Sequence, residues 1–569
     1  VTAPAAHEVP APAEESAEAV AVVRRRRGDP AAGWFRRQVL VLVLVTFGVT
    51  AFLAGGHSYA IDNEVQFQTT RALVKLSPSL TDTDDGWLAR EDGPYRRRDD
   101  GGVVGIVPIG QSLLSVPFYA GGWVLSRPLP ADQRDQFVRT ATFFTNALLH
   151  ALAAAVVAAL ALEVSGSRRG ALLVGWVYAL GTYALPNAET YLTEVGTGMF
   201  MALACLLAVR SWRSGRWTTA AWSGVAMGWA FLVRPSAALF FPIVGLFVLV
   251  TAWRDRGLAA AVRSGAAWGV AAVGMLAVNG LFAWWRFGSP VDLGYQTVYQ
   301  NHPLVDGAVN QLVSVGKGLV WFAPVVVLCV AGAVLAWRRS APVVVLLTLC
   351  FTANLVFYAR VPFWGGDNSW GPRYTLIGLA SVVPLAAGCC VRRWGRVGVG
   401  ALGVVGLVLP MLMGALVSFN TVYVEATREL GPGGETPAIR FDLEWQQILR
   451  HAGMLPEAVS DVLGDDPPGE VQRPPWTGDP INDYAFYGVE PRIDVWWLWI
   501  GPTGASGLTW VFLLLTVAPL GGAAWILWRH RGGGPAGWAA DPALLEVSGS
   551  RRAGPPRTSG TPRPAAPAA

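Results

Sequence analysis

Along the chain, charge-free apolar windows of about 17–25 residues alternate with short connections rich in arginine, glycine or proline. At about 1.5 Å of rise per residue, such windows suit helices that cross roughly 30 Å of hydrocarbon. They predict helices near 38–56, 139–163, 171–186, 195–210, 218–233, 236–252, 265–285, 318–337, 341–358, 374–390, 397–418 and 506–528. The fold class expected is an all-α polytopic membrane protein with about twelve transmembrane helices. One apolar stretch breaks the pattern: Gly102 to Leu125 carries Pro108, Gly110, Gln111, Pro117, Gly121 and Gly122, and reads as a re-entrant or interfacial helix in the first outer loop.

Charge gives the windows a direction. With the N-terminus inside, every even-numbered connection contains an arginine cluster: Arg168-Arg169, Arg210/Arg213/Arg216, Arg254/Arg256, Arg338-Arg339, Arg392-Arg393/Arg396 and Arg529/Arg531. An excess of Lys and Arg marks cytoplasmic loops, so both ends are expected in the cytoplasm of a multi-pass plasma-membrane protein. A full crossing by Gly102 to Leu125 would move every later cluster to the other side. Residues 421–495 carry 14 Asp/Glu against 5 Arg/Lys, which fits one long outer segment. The expected organisation is a disordered tail over 1–37, a transmembrane catalytic module over 38–418, an extracytoplasmic loop or cap over 419–500, a last helix within 501–530 and a second tail over 531–569. A retained first helix is expected rather than a cleaved signal, because the stretch from Val39 is long and lacks a small-residue cleavage site.

Composition changes this little. With 53% hydrophobic and 15% charged residues and a mean hydropathy of +0.39, an ordinary soluble enzyme is excluded. The net charge of +5 does not suggest nucleic acid, because the basic residues sit beside apolar spans rather than along one soluble face. The five cysteines, Cys205, Cys329, Cys350, Cys389 and Cys390, fall inside apolar windows without metal-ligand spacing.

Chemistry-bearing residues collect in the outer connections. His57-Ser-Tyr-Ala-Ile-Asp62-Asn63-Glu64-Val-Gln66 follows the first window. Two carboxylates there suit a general base or a metal ligand, against a solvated loop or an N-cap made by Asp62. Asn187-Ala-Glu189-Thr-Tyr191-Leu-Thr193-Glu194 forms a tight outer turn in which Glu194 opens a helix, where a carboxylate is also favoured by the helix dipole alone. Arg234, before Pro235, lies at an outer span end against the positive-inside trend; it either snorkels to headgroups or clamps a phosphate, and Lys317 poses the same choice. Trp364-Gly-Gly-Asp367-Asn-Ser-Trp370-Gly-Pro-Arg373-Tyr374 brings glycines, tryptophan platforms and a guanidinium fork into one short loop, against an aromatic belt plus a turn.

These segments, Asp62-Asn63-Glu64, Tyr191-Leu-Thr-Glu194, Leu232-Val-Arg234-Pro235, Gly316-Lys317-Gly318-Leu319 and Trp370-Gly-Pro-Arg373-Tyr374, together resemble the bacterial GT-C membrane glycosyltransferases, in the branch of protein O-mannosyltransferases and aminoarabinose transferases. The resemblance covers about 38–400. It implies inverting transfer of a hexosyl or pentosyl group from a polyprenyl-phosphate-linked donor to an envelope acceptor, whether glycan, lipid or protein, on the outer face. Carried over, Asp62 is the catalytic base and Glu64 its neighbour. Arg373, Arg234 and Lys317 bind the donor phosphate. Glu194, Tyr191, Asp367, Trp370 and Tyr374 bind substrate. The family pattern has adjacent Asp and Glu, whereas Asn63 intervenes here, so either carboxylate is open as the base. No cofactor and no resident metal is expected, although Asp62, Glu64 or Glu194 would be the ligands of a divalent cation.

The rival class is a membrane transporter or lipid flippase, which shares the twelve-span plan. Transporters place charge and interrupted helices near the midplane. Here the polar residues cluster outside, and His150, Asn279 and Asn354 read as helix-packing groups.

Overall fold

The computed structural model describes residues 30–80, 94–294, 300–366, 369–411, 414, 420–430, 437–463, 493–500 and 506–530. Its frame is a bundle of apolar helices: α1 (Pro30–Leu53), then α2 (Ile61–Val74), a two-stranded antiparallel hairpin of β1 (Tyr95–Arg97) and β2 (Val103–Gly105), and α3 (Ile109–Leu125). The chain continues through α4 (Ala131–Ser165), α5 (Arg168–Leu180), α6 (Thr193–Ser214), α7 (Trp217–Val233), α8 (Phe240–Arg256), α9 (Leu258–Phe287), α10 (Leu304–Val313), α11 (Val327–Ala359), α12 (Leu376–Val382) and α13 (Arg393–Gly406). The segment that follows contains α14 (Asn420–Leu430) and α15 (Gln447–Leu463), and α16 (Ser506–Arg529) is the last helix.

Among the described residues, eight helical stretches are long and apolar enough to cross a membrane: Ala31–Leu53, Arg134–Ser165, Thr193–Ser214, Pro235–Arg256, Leu258–Phe287, Pro324–Ala359, Arg373–Val391 and Thr509–Arg529. Two further expected windows are helical but shorter, as α5 and α7, and the window 397–418 begins in α13 and runs beyond the described residues. The two windows 318–337 and 341–358 merge into α11 across a kink at Ser340, where φ −142° leaves the helical region just before Pro342.

The core explains why small residues crowd these helices. Central α4 contributes Ala153, Ala154, Ala158 and Ala161, all fully buried, and Gly175 of α5 packs against Ala158. Without bulky side chains the helix backbones approach closely, which is how apolar helices associate where lipid is as apolar as leucine. Polar groups inside this core serve packing: His150 Nε2 meets the Ala179 carbonyl at 2.9 Å, and Asn354 Nδ2 donates to the Tyr374 carbonyl at 3.0 Å.

Two ends of the bundle differ. At one, Arg213 pairs with Glu163 at 2.6 Å, Ser340 Oγ donates to the Glu163 carbonyl, and Trp212 donates to Asp255 at 2.7 Å. The connections bearing Arg168-Arg169, Arg210/Arg213/Arg216, Arg254/Arg256 and Arg338-Arg339 therefore gather there, as the alternation of charge requires. At the other end lie α2, the hairpin, α3, the turn 187–194, Arg234, the 314–318 and 369–374 loops, α14 and α15. Residues 102–125 supply β2 and α3 in the connection between α1 and α4, rather than one continuous apolar span.

Candidate active site

The first acidic motif lies on a helix that its polar sequence conceals. Ile61–Val74 is helical, with Asp62 and Glu64 in the first turn, where the dipole favours carboxylates. The N-cap position is Ala60, so Asp62 does not cap the helix. Asp62 is half-buried, whereas Glu64 and Asn63 are buried. Both Glu64 oxygens are engaged: Oε2 pairs with Arg139 Nη1 and accepts from Ser58 Oγ at 2.9 Å, and Oε1 accepts from Gln68 Nε2 at 2.9 Å. Arg139 also contacts Asp135 at 2.6 Å and lies over the Phe67 ring. The Glu64–Arg139 pair is buried, with both side chains 4% exposed, and Arg139 extends it to Asp135. Sequence reasoning missed Arg139, although it shares the signal that picks out Arg234, an arginine at the outer end of an apolar span.

Immediately before this helix the chain turns at Gly55-Gly56, and the segment preceding α16 docks on that turn. Gly56 has φ +75°, and a Cβ there would sit 2.6 Å from Trp496 Cβ. The last carbonyls of α1 have no partner within the helix, and three of them are met from this segment. Trp496 Nε1 donates to Ala51 O at 2.7 Å, Trp496 N to Ala54 O at 2.8 Å and Trp497 Nε1 to Phe52 O at 3.2 Å. Asp494 Oδ1 lies 2.8 Å from His57 Nε2, both side chains being buried. Tyr59 also hydrogen-bonds Asp494, and burial foremost, then the Asp494 and Glu189 charges, push the Tyr59 phenol well up from its ordinary value. Burial, with Asp494 adding to it, likewise raises the Glu189 carboxyl well above the usual carboxylate range.

The second cluster forms around Glu194. Its Oε1 accepts from Arg234 Nη1 at 2.9 Å and lies 3.4 Å from Arg373 Nε. Among the described residues, its Oε2 is buried without a hydrogen-bond partner. Arg234 also donates to Thr193 Oγ1 and to the Tyr358 hydroxyl, both at 3.0 Å, and Arg373 donates to the Tyr374 hydroxyl at 3.2 Å. Tyr358 and Tyr374 stack with centroids 4.6 Å apart, and both guanidiniums lie over the Tyr374 ring. The Arg234 side chain is 23% exposed and that of Arg373 11%. Two guanidiniums thus meet at one carboxylate, with the Arg234 side chain the more exposed, an arrangement whose planar donor forks suit an oxyanion.

Sequence neighbours hold Arg373 in place through carbonyl contacts. Lys317, fully buried, donates from Nζ to Ser369 O and to Gly371 O, so it grips the turn rather than facing the surface. Gln447 of α15 brackets the same turn, donating to Ser369 O at 3.1 Å and accepting from Gly371 N at 2.9 Å. Gly371 adopts φ +65°, and a Cβ there would press on Phe322. Asn187 Nδ2 donates to Trp370 O at 3.1 Å. Trp370 is buried between Phe322 and His451, and Tyr191 stacks on Phe143 at 4.5 Å with its hydroxyl on Ser115. Both rings support the site from within. Asp367 lies outside the described residues.

The two clusters are joined by the turn from Glu189 to Glu194, five residue steps whose ends lie at most about 18 Å apart even if fully extended. Asn146 of α4 fixes that turn by donating to Thr190 O at 2.6 Å and Leu192 O at 2.9 Å, and is itself held by Gln111 of α3. Of the residues expected from sequence, Glu194, Arg234, Arg373 and Tyr374 converge directly, Lys317 and Trp370 reach the site through the 369–374 turn, and Asp62 and Glu64 sit on the adjoining helix. No group of three His, Cys, Asp or Glu side chains is arranged to hold a metal ion among the described residues.

Compared with solved structures, the chain is similar to ArnT from Cupriavidus metallidurans bound to undecaprenyl phosphate, at 16% identity and a TM-score of 0.42, covering 83% of this chain and 78% of that one. It is also similar to the archaeal oligosaccharyltransferase AglB from Archaeoglobus fulgidus, solved with an inhibitory peptide and a dolichol-phosphate, at 13% identity and a TM-score of 0.39, covering 82% of this chain and 64% of that one. No known family and no curated protein matches it.

Proposed function

We propose that this multi-pass membrane protein is a glycosyltransferase that moves a sugar from a polyprenyl-phosphate-linked donor to a cell-envelope acceptor, at the extracytoplasmic face of the plasma membrane and with inversion. The observation that carries this reading is the Arg234–Glu194–Arg373 cluster, in which one carboxylate fixes two guanidiniums at the end of the bundle opposite the arginine-rich connections. A lipid phosphate at headgroup depth would meet that pair while its isoprenoid tail stays in hydrocarbon.

In the reaction, the acceptor hydroxyl oxygen bonds to the anomeric carbon as the bond from that carbon to the phosphate oxygen breaks. The electron pair leaves with the polyprenyl phosphate, and the acceptor proton passes to a carboxylate. Arg234 and Arg373 stabilise the charge that develops on the leaving phosphate. Supporting Asp62 as the base is the engagement of Glu64 by Arg139, Ser58 and Gln68. Glu64 then orients the helix that presents Asp62. The unpartnered Oε2 of Glu194 is suited to accept a sugar hydroxyl. Lys317 holds the turn of Arg373 and acts on the phosphate only through it.

The test is sugar release from a polyprenyl-phosphate donor in proteoliposomes, comparing wild type with Asp62→Asn. Full activity in the variant would defeat the base assignment. Transport without any change in covalent linkage would defeat the whole reading.

A further inference from the structure

The proton arrangement around His57 has no place in the step just described. Its Nε2 lies 2.8 Å from Asp494 Oδ1 and its Nδ1 3.2 Å from the Ser58 carbonyl oxygen. A carbonyl oxygen only accepts, and so does an ionised carboxylate. Both contacts are satisfied together when the pair holds one proton more than a neutral imidazole facing an ionised carboxylate, whichever atom carries it. Ser58, whose carbonyl takes one contact, donates its hydroxyl to Glu64 at 2.9 Å. A continuous path therefore runs from Asp494, 437 positions away along the chain, through His57 and Ser58 to Glu64 and the helix of Asp62.

We propose that Asp494 is a positioning residue of the active site: through His57 it locks the segment leading into the Asp62–Glu64 helix, so the site is completed by the residues just before the last helix. The lock is pinned by Trp496, fully buried and hydrogen-bonded to the end of α1. Gly55 permits it, since a Cβ there would strike the Tyr59 hydroxyl and lie 2.9 Å from Asp494 Oδ1. The titratable and charged groups around the pair are Tyr59 and Glu64 on the His57 segment, Arg139 and Asp135 from α4 and Glu189 from the 187–194 turn.

This inference rests on the glycosyl-transfer reading for its kinetic arm only. Asp494→Asn and His57→Gln are each expected to lower kcat about 10- to 100-fold, the scale of a small misplacement of reacting groups, with donor KM unchanged. The double variant should lose no more than either single one, because both act on one path. Asp494→Glu, which keeps the carboxylate, should restore part of the activity. Multiplicative losses in the double variant, or unchanged kcat in both singles, would overturn the proposal. If wild type transfers no sugar, the functional reading falls and backbone hydrogen exchange decides the positioning. Faster exchange over residues 57–66 in Asp494→Asn supports the lock, and unchanged exchange there overturns it.

Discussion

Glu64 and Glu194 are both buried carboxylates paired with arginine at the same end of the bundle, yet their surroundings differ in a way that assigns them different work. Glu64 faces Arg139 in a closed pair whose oxygens are also met by Ser58 and Gln68. Glu194 is shared by two arginines, keeps one oxygen without a hydrogen bond among the described residues, and leaves the Arg234 side chain partly exposed. A sealed carboxylate stores geometry; one that gathers guanidiniums at a partly open edge presents donors to an anion. Burial of charge therefore says little about function until the surroundings of each partner are compared.

The largest effects should come from residues that the closed pair serves rather than from the pair itself. Asp62→Asn is expected to lower kcat by about 10²–10⁴-fold, the usual contribution of a positioned general base. If Glu64→Gln causes the larger kcat loss while Asp62→Asn is near wild type, the roles are reversed. Next, Arg373→Ala and Arg234→Ala should each cost about 10²–10³-fold in kcat, as loss of a donor to a developing anion does. Lysine at either position should restore little, since it lacks the planar fork.

The closed pair should announce itself in stability. Arg139→Met leaves a buried carboxylate without its cation and is expected to cost about 3–5 kcal/mol, read as a lowered thermal midpoint in detergent. Combining it with Glu64→Gln should recover most of that loss. By contrast, Glu194→Gln should leave the thermal midpoint within a few degrees of wild type while weakening donor binding.

The smallest effect concerns Glu189. Its folded-state pKa is raised above its ordinary value of 4.5 by burial and by Asp494. Such a group contributes stability that is fully present below that ordinary value and is lost as pH climbs toward and through the raised one. Thermal midpoints measured from mildly acidic to alkaline pH should therefore fall for wild type, and Glu189→Gln, which keeps the neutral form, should flatten that decline.

How much of this was legible beforehand follows from what each feature depends on. Apolar windows and arginine alternation are local properties, so the helical frame and the clustering of the connections bearing Arg168-Arg169, Arg210/Arg213/Arg216 and Arg254/Arg256 at one end could be read along the chain, whereas the contacts of Arg213 with Glu163 and of Trp212 with Asp255 could not. The helix at Ile61–Val74 could not, because its polar sequence has no apolar stripe and reads as a loop. Arg234, Glu194 and Arg373 were recognisable as unusual residues at span ends, but their sharing of one carboxylate oxygen is a tertiary fact. Lys317 looked like a phosphate ligand by its place before a span, whereas the 369–371 carbonyls claim its ammonium. Asp494 was hidden most completely, since nothing in a long acidic segment marks the one carboxylate that returns to His57.

The central claim, that the Arg234–Glu194–Arg373 cluster is the seat of a lipid phosphate, is tested most directly by a structure of the reconstituted protein with polyprenyl phosphate bound. The account predicts the phosphate within hydrogen-bond reach of both Arg234 and Arg373, with the isoprenoid tail running along the bundle. A phosphate seated away from both arginines, or at the arginine-rich opposite end, would contradict it.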